Sequence, residues 1–149
     1  MKKIQLIISF IALSFFVVIA KNTFFTDDNI KFYNQGLDAY KKGNYQAAIT
    51  FFNWVNSEEY PNVLIPLADS YLMINDFENA IQNFEKVYKS NIAVNTENYP
   101  GILNNLGFCY MRIGNLKEAR FFLEKSYNMG NSVSENNLQI LDSLEYRNN

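Results

Sequence analysis

The chain has 149 residues, 13 lysines and arginines against 15 aspartates and glutamates, and a net charge of −2. That is room for one compact domain and a leader, with no basic stripe of the kind nucleic acid requires. A hydrophobic content of 48%, with 16% aromatic residues, excludes disorder, and one cysteine with no histidine excludes an internal disulfide and the commonest metal ligand and general base.

The first element is a leader over residues 1–25. Met1-Lys2-Lys3 precedes an apolar run, Ile4 to Ala20, broken only by Gln5, Ser9 and Ser14. Lysines ahead of an apolar core are the charge pattern of a segment inserted with its N-terminus in the cytoplasm. The run is at the short edge of what spans a bilayer, where about 20 residues are typical. Val18-Ile19-Ala20 also carries small or tolerated residues where signal peptidase cuts. Two readings stand: a cleaved signal peptide, or a retained N-terminal membrane anchor. Either places the rest of the chain on the non-cytoplasmic side, in a periplasm or outside the cell.

From residue 29 the chain repeats itself. Gly36, Ala68 and Gly107 share one small-residue position, followed seven residues on by Gly43, Asn75 and Gly114. Tyr45, Phe77 and Leu116 come next, then Ala48, Ala80 and Ala119, then Phe52, Phe84 and Leu123. The spacing predicts a pair of helices per copy, over 29–60, 61–99 and 100–131. The small residues let two helices approach closely, 36, 68 and 107 facing 48, 80 and 119. An aromatic at 45 or 77 fills the wedge beyond the turn. Gly43-Asn44, Asn75-Asp76 and Gly114-Asn115 end one helix, and Asn44, Asp76 and Asn115 are set to cap the next. Pro61 and Pro100 mark unit starts. Pro66 lies inside the first helix of copy two, which predicts a start delayed to about residue 63. Extra residues between copies two and three, Ser90 to Asn98, form a junction insert.

Residues 132–149 form the last element. Val133, Leu138, Ile140, Leu141 and Leu144 give it an apolar face, and Asn136, Asn137, Glu145 and Arg147 a polar one. A stack of repeats needs such a terminal cap.

These residues resemble the tetratricopeptide repeat, a pair of antiparallel helices in 34 residues. Copy three carries most of the pattern: Leu103, Leu106, Gly107, Tyr110, Gly114 and Ala119. Copy two follows with Leu64, Leu67, Ala68, Tyr71, Phe77, Ala80 and Phe84. Copy one has Phe32, Gly36, Gly43, Tyr45, Ala48 and Phe52, with Gln35 where the family has leucine. The resemblance implies an all-α fold: an α-solenoid of three helical hairpins plus a C-terminal capping helix. It also implies a groove lined by the first helix of each unit. In that groove it places Tyr33, Leu37, Tyr40 and Lys41 from copy one. Copy two supplies Ile65, Asp69, Leu72 and Met73, and copy three Asn104, Phe108, Met111 and Arg112. The family's carboxylate-clamping grooves use lysine, arginine and asparagine. Here Tyr33 and Leu37 stand where polar or basic groups belong, and only Asn104 and Arg112 match in type. The groove is therefore read as apolar, suited to an amphipathic helix or extended peptide.

No glycine-rich phosphate loop, nucleophile elbow or carboxylate pair accompanies the repeats. Cys109, beside Tyr110, reads as a buried thiol. The expectation is a non-enzyme with no cofactor and no metal. Its function is expected to be the docking of a protein or peptide partner within a cell-envelope assembly, with membrane attachment through the leader. A self-associating role, as part of a membrane-attached homo-oligomer, is the alternative.

Overall fold

The computed structural model describes residues 28–148, so the leader reading lies outside the described residues. Seven α-helices and no strand occur among them. They are α1 (28–41), α2 (Tyr45–Asn53), α3 (Leu64–Met73), α4 (Phe77–Ser90), α5 (Tyr99–Arg112), α6 (Leu116–Asn128) and α7 (Val133–Asn148). Consecutive helices pack on one another, α3 also meets α5, and α5 also meets α7. This is the expected stack of three hairpins and a cap. No helix among the described residues is long and apolar enough to cross a membrane.

The turns explain why each hairpin closes where it does. Gly43, Asn75 and Gly114 hold φ of 74°, 60° and 82°, the left-handed region open to glycine and tolerated by asparagine. The following N–H then reaches back five residues: Asn44 to the Ala39 carbonyl (3.0 Å), Asp76 to Tyr71 (2.9 Å) and Asn115 to Tyr110 (2.9 Å). The side chains of Asn44, Asp76 and Asn115 then accept from the N–H groups of Ala47, Asn79 and Glu118. One residue thus closes a helix and opens the next. Gly130 (φ 92°) repeats the closure before α7, with Asn131 N–H donating to Ser126.

Pro66 is the third residue of α3, where its missing N–H breaks no helical bond. The preceding 3-10 turn, Pro61–Val63, takes up the delay, so α3 has 10 residues where α5 has 14.

Small residues bring the helices together, with Gly107 against both Ala119, as expected, and Leu123 one turn beyond, and Gly36 against Phe52. A Cβ on Gly36 would overlap the Phe52 ring. On Gly107 it would meet Leu123 Cγ at 2.8 Å and the Ala119 carbonyl at 3.1 Å. Ala48, Ala68, Ala80 and Ala119 are fully buried around these contacts. Tyr45 wedges against Tyr40 (ring centroids 5.2 Å), while Phe77 reaches across to Phe108 on α5 (6.3 Å).

Two hydrophobic cores result. The smaller joins α1 and α2 to the start of α3 through Ala48, Ile49, Phe52, Val63 and Leu67. The larger runs from Leu64 through Phe84, Leu103, Leu106 and Leu123 to Leu141 on the cap. Tyr71 packs against both.

The cap departs from its sequence reading. Leu141 is buried, and Leu138 and Leu144 pack on the core, but Val133 and Ile140 are about half exposed. In exchange, two residues assigned to the polar face turn inward. Asn137 donates to Asn104 (2.8 Å), and Glu145 bonds Arg120 (2.6 Å), which also holds Asp142 (2.6 Å). The helix is seated partly by polar bonds, which a count of apolar positions cannot register.

Candidate functional site

Two adjoining cavities lie along α1, α3 and α5. One, about 490 Å³, lies between α3, the N-terminal end of α5 and the α6–α7 turn. The other, about 340 Å³, lies between Tyr33 on α1, α3 and the segment 91–98. Ile65, Asp69, Asn98 and Ile102 line both, which makes one continuous groove with Asp69 near its centre.

The junction insert builds a wall of this groove. Asn91 ends α4 with φ 55°, and the chain then winds through successive turns. Thr96 N–H donates to the Ala93 carbonyl (2.9 Å), its hydroxyl donates to the same oxygen (2.7 Å), and Tyr99 N–H donates to Thr96 (3.1 Å). Ala93 and Tyr99 are buried and anchor the two ends, leaving Ile92, Thr96, Glu97 and Asn98 along the groove.

Asp69 accepts a hydrogen bond from Asn105 Nδ2 (3.2 Å). Burial pushes its carboxyl above the ordinary range, and the Asn105 bond pulls partly the other way. Tyr40 is raised too, first by burial and then by the nearby Asp69 charge.

Of the residues assigned to the groove from sequence, the cavities bring together Tyr33, Ile65 and Asp69. Leu37 and Tyr40 are half-buried against the smaller core, and Leu72 against the larger; Tyr33 itself packs on Phe52 at 6.0 Å between ring centroids. Lys41 and Met73 are exposed and line neither cavity. Phe108 and Arg112 form a separate group with Phe77, the guanidinium 4.6 Å from the Phe77 ring and 5.7 Å from that of Phe108. Met111 is buried in the core. Asn104 is buried as well, its Oδ1 accepting from Asn137 and lying 3.1 Å from the Ser134 hydroxyl. It ties α5 to the cap. Cys109 is fully buried, and burial pushes its thiol up to about 12, far from the reactive range.

Groove residues beyond sequence reach are Asn98, Gly101, Ile102 and Asn105. They leave its lining mixed rather than apolar, because several of the expected apolar contributors turn into the cores.

Comparison with known proteins fits this architecture. Residues 100–129, which hold α5 and α6, match the model of the tetratricopeptide repeat. The α5–α6 hairpin thus carries one tetratricopeptide repeat. Among solved structures, it is similar to the first tetratricopeptide domain of Spaghetti (RPAP3) bound to the HSP90 peptide SRMEEVD. That match has a TM-score of 0.66 and 17% identity, over 80% of this chain and 94% of that one. The second such domain of human RPAP3, in complex with the HSP70 peptide SGPTIEEVD, gives 0.62 and 19%, over 79% and 98%. PcrH in complex with the chaperone binding region of PopD gives 0.61 and 16%, over 83% and 96%. At these identities the likeness establishes the fold and no more. No curated protein sequence matches it.

Proposed function

We propose that this protein is a non-catalytic scaffold that docks a peptide or helix of a partner protein in the groove along α1, α3 and α5. The observation that carries the reading is the pair of cavities sharing Ile65, Asp69, Asn98 and Ile102. Their continuity and mixed lining suit a segment of chain better than a small molecule. Three structures of the same fold hold peptides or a binding region of a partner, which supports the reading by analogy. The leader, Met1 to Ala20 with its two lysines and apolar run, favours a place at the cell envelope, with the repeats on the non-cytoplasmic side.

A second reading, self-association, draws on the exposed Val133 and Ile140 of the cap, where another copy could stack. One experiment separates the two. A photo-reactive phenylalanine analogue is placed at Asn62 or Asn98, exposed on the groove rim, or at Ile140 on the cap, in the full-length chain in its native membrane. Adducts to another protein from the rim positions alone support docking. Adducts of dimer mass from Ile140, with none from the rim, overturn it in favour of self-association.

A further inference from the structure

The groove's charge points to the chemistry of its occupant. Among the residues lining the two cavities there are two carboxylates, Asp69 and Glu97, and no lysine or arginine. The peptides bound by the RPAP3 domains end in Glu-Glu-Val-Asp. A segment of that kind would bring carboxylates toward Asp69 with no lysine or arginine to receive them, and like charges at such a distance repel.

Asp69 is also incompletely paired. Among the described residues it has the one Asn105 hydrogen bond and no ion pair. A carboxylate drawn partly out of water without a counter-charge costs folding free energy, and a cation brought to it recovers that cost. The surroundings define the rest of the ligand. Tyr33, Ile65, Pro66 and Ile102 offer apolar surface on either side of the carboxylate, and Asn98 and Asn105 offer amides for a backbone. A long side chain with an apolar stem and a charged head matches that arrangement.

We infer that the groove receives a partner segment presenting a lysine or arginine between apolar residues, its cation seated against Asp69 with Glu97 at the rim. The inference rests on the docking reading above and narrows it to one class of partner. It also accounts for the missing clamp: the polarity of recognition is reversed, with the carboxylates on the scaffold.

The test is selection of a random twelve-residue peptide library, displayed on phage, against the full-length chain in mild detergent. Selected peptides are expected to share a lysine or arginine flanked by apolar residues. A synthetic copy of one such peptide should lose about tenfold or more in affinity for Asp69→Asn, in keeping with the loss of one partner of a desolvated charge pair. The loss should be smaller for Glu97→Gln, which is exposed, and absent for Glu58→Gln, which makes the same change in net charge away from both cavities. Replacing the peptide's cation by norleucine should reproduce the Asp69→Asn loss. Peptides that bind without a cation, or that keep their affinity for Asp69→Asn and Glu97→Gln alike, overturn this inference and leave docking intact. Failure to select any peptide overturns both.

Discussion

The first and third hairpins follow the same repeat and are held very differently. The α5–α6 hairpin lies between α4 on one side and α7 on the other, and its buried residues belong to the larger core. The α1–α2 hairpin packs on α3 through α2 and shares the smaller core. Its outer side keeps Trp54 and Ile30 about half exposed, with Phe32, Phe51 and Trp54 packed edge to face. The better-matching copy is the one with neighbours on both flanks. A repeat stack draws stability from interfaces as well as from units, so an inner copy gains twice where an outer one gains once.

The comparison predicts separable unfolding. Phe52→Ala, which empties a fully buried site in the smaller core, should cost about 3–5 kcal/mol. Hydrogen exchange should show lost protection over 28–53 while α5 and α6 keep theirs. A uniform loss across all helices would show that the two cores melt as one. Gly36→Ala and Gly107→Ala sharpen the contrast, because they add the same methyl group at the same repeat position. Each gains helix propensity of about 1 kcal/mol but overpacks a close contact costing about 1–3 kcal/mol, so both should destabilise. For Gly36→Ala the faster exchange should stay within α1 and α2. For Gly107→Ala it should spread from α4 to α7.

The same contrast explains what the sequence made legible. The turns could be read because a positive φ admits few residues, and Gly43, Asn75 and Gly114 are among those few. Caps and buried alanines followed from the same spacing. The groove was harder. Asn104 holds the repeat position of Tyr33 and Ile65, yet each such position faces the unit that follows it. For the third copy that unit is the cap, so Asn104 is buried against Ser134 and Asn137. The segment 91–98 has no period to read, and its place as a wall of the groove is fixed by Ala93, which is anchored in the core. On α7, Val133 and Ile140 were drawn inward by hydropathy alone, while the Arg120 bonds to Asp142 and Glu145 decide how the helix is turned.

Those bonds give a smaller prediction at the capped end. The Arg120 guanidinium is about one-third exposed, so each pair is screened, but three carboxylates share it: Glu124 on its own helix, and Asp142 and Glu145 on the cap. Arg120→Ala should cost about 1 kcal/mol and speed exchange in α7 first. Protection in α1 and α2 should not change. If α7 kept its protection, Leu138, Leu141 and Leu144 would be sufficient to seat the cap.

The smallest expected effect falls where the two regions meet. Asp69 lies on α3, the helix that contributes to both cores, and burial raises its carboxyl above the ordinary range. Between the unfolded value and that raised value, the folded chain holds the extra proton. Stability therefore rises as pH falls through the folded value and levels off below the unfolded one. Asp69→Asn removes the partly buried charge and keeps the shape. It should raise the Tm by a few degrees at neutral pH, and the gain should vanish in acid, where Asp69 is already protonated in both states. Thermal melts of the two proteins across that pH range provide the measurement. A variant less stable than the parent at neutral pH would mean that the Asn105 bond outweighs the cost of burial. Stabilisation by loss of a charge identifies a residue retained at the expense of the fold, and such residues concentrate at sites of function. A groove carboxylate that weakens the free chain and is relieved by a cation from outside would make the junction between the two regions the place where binding and stability are coupled.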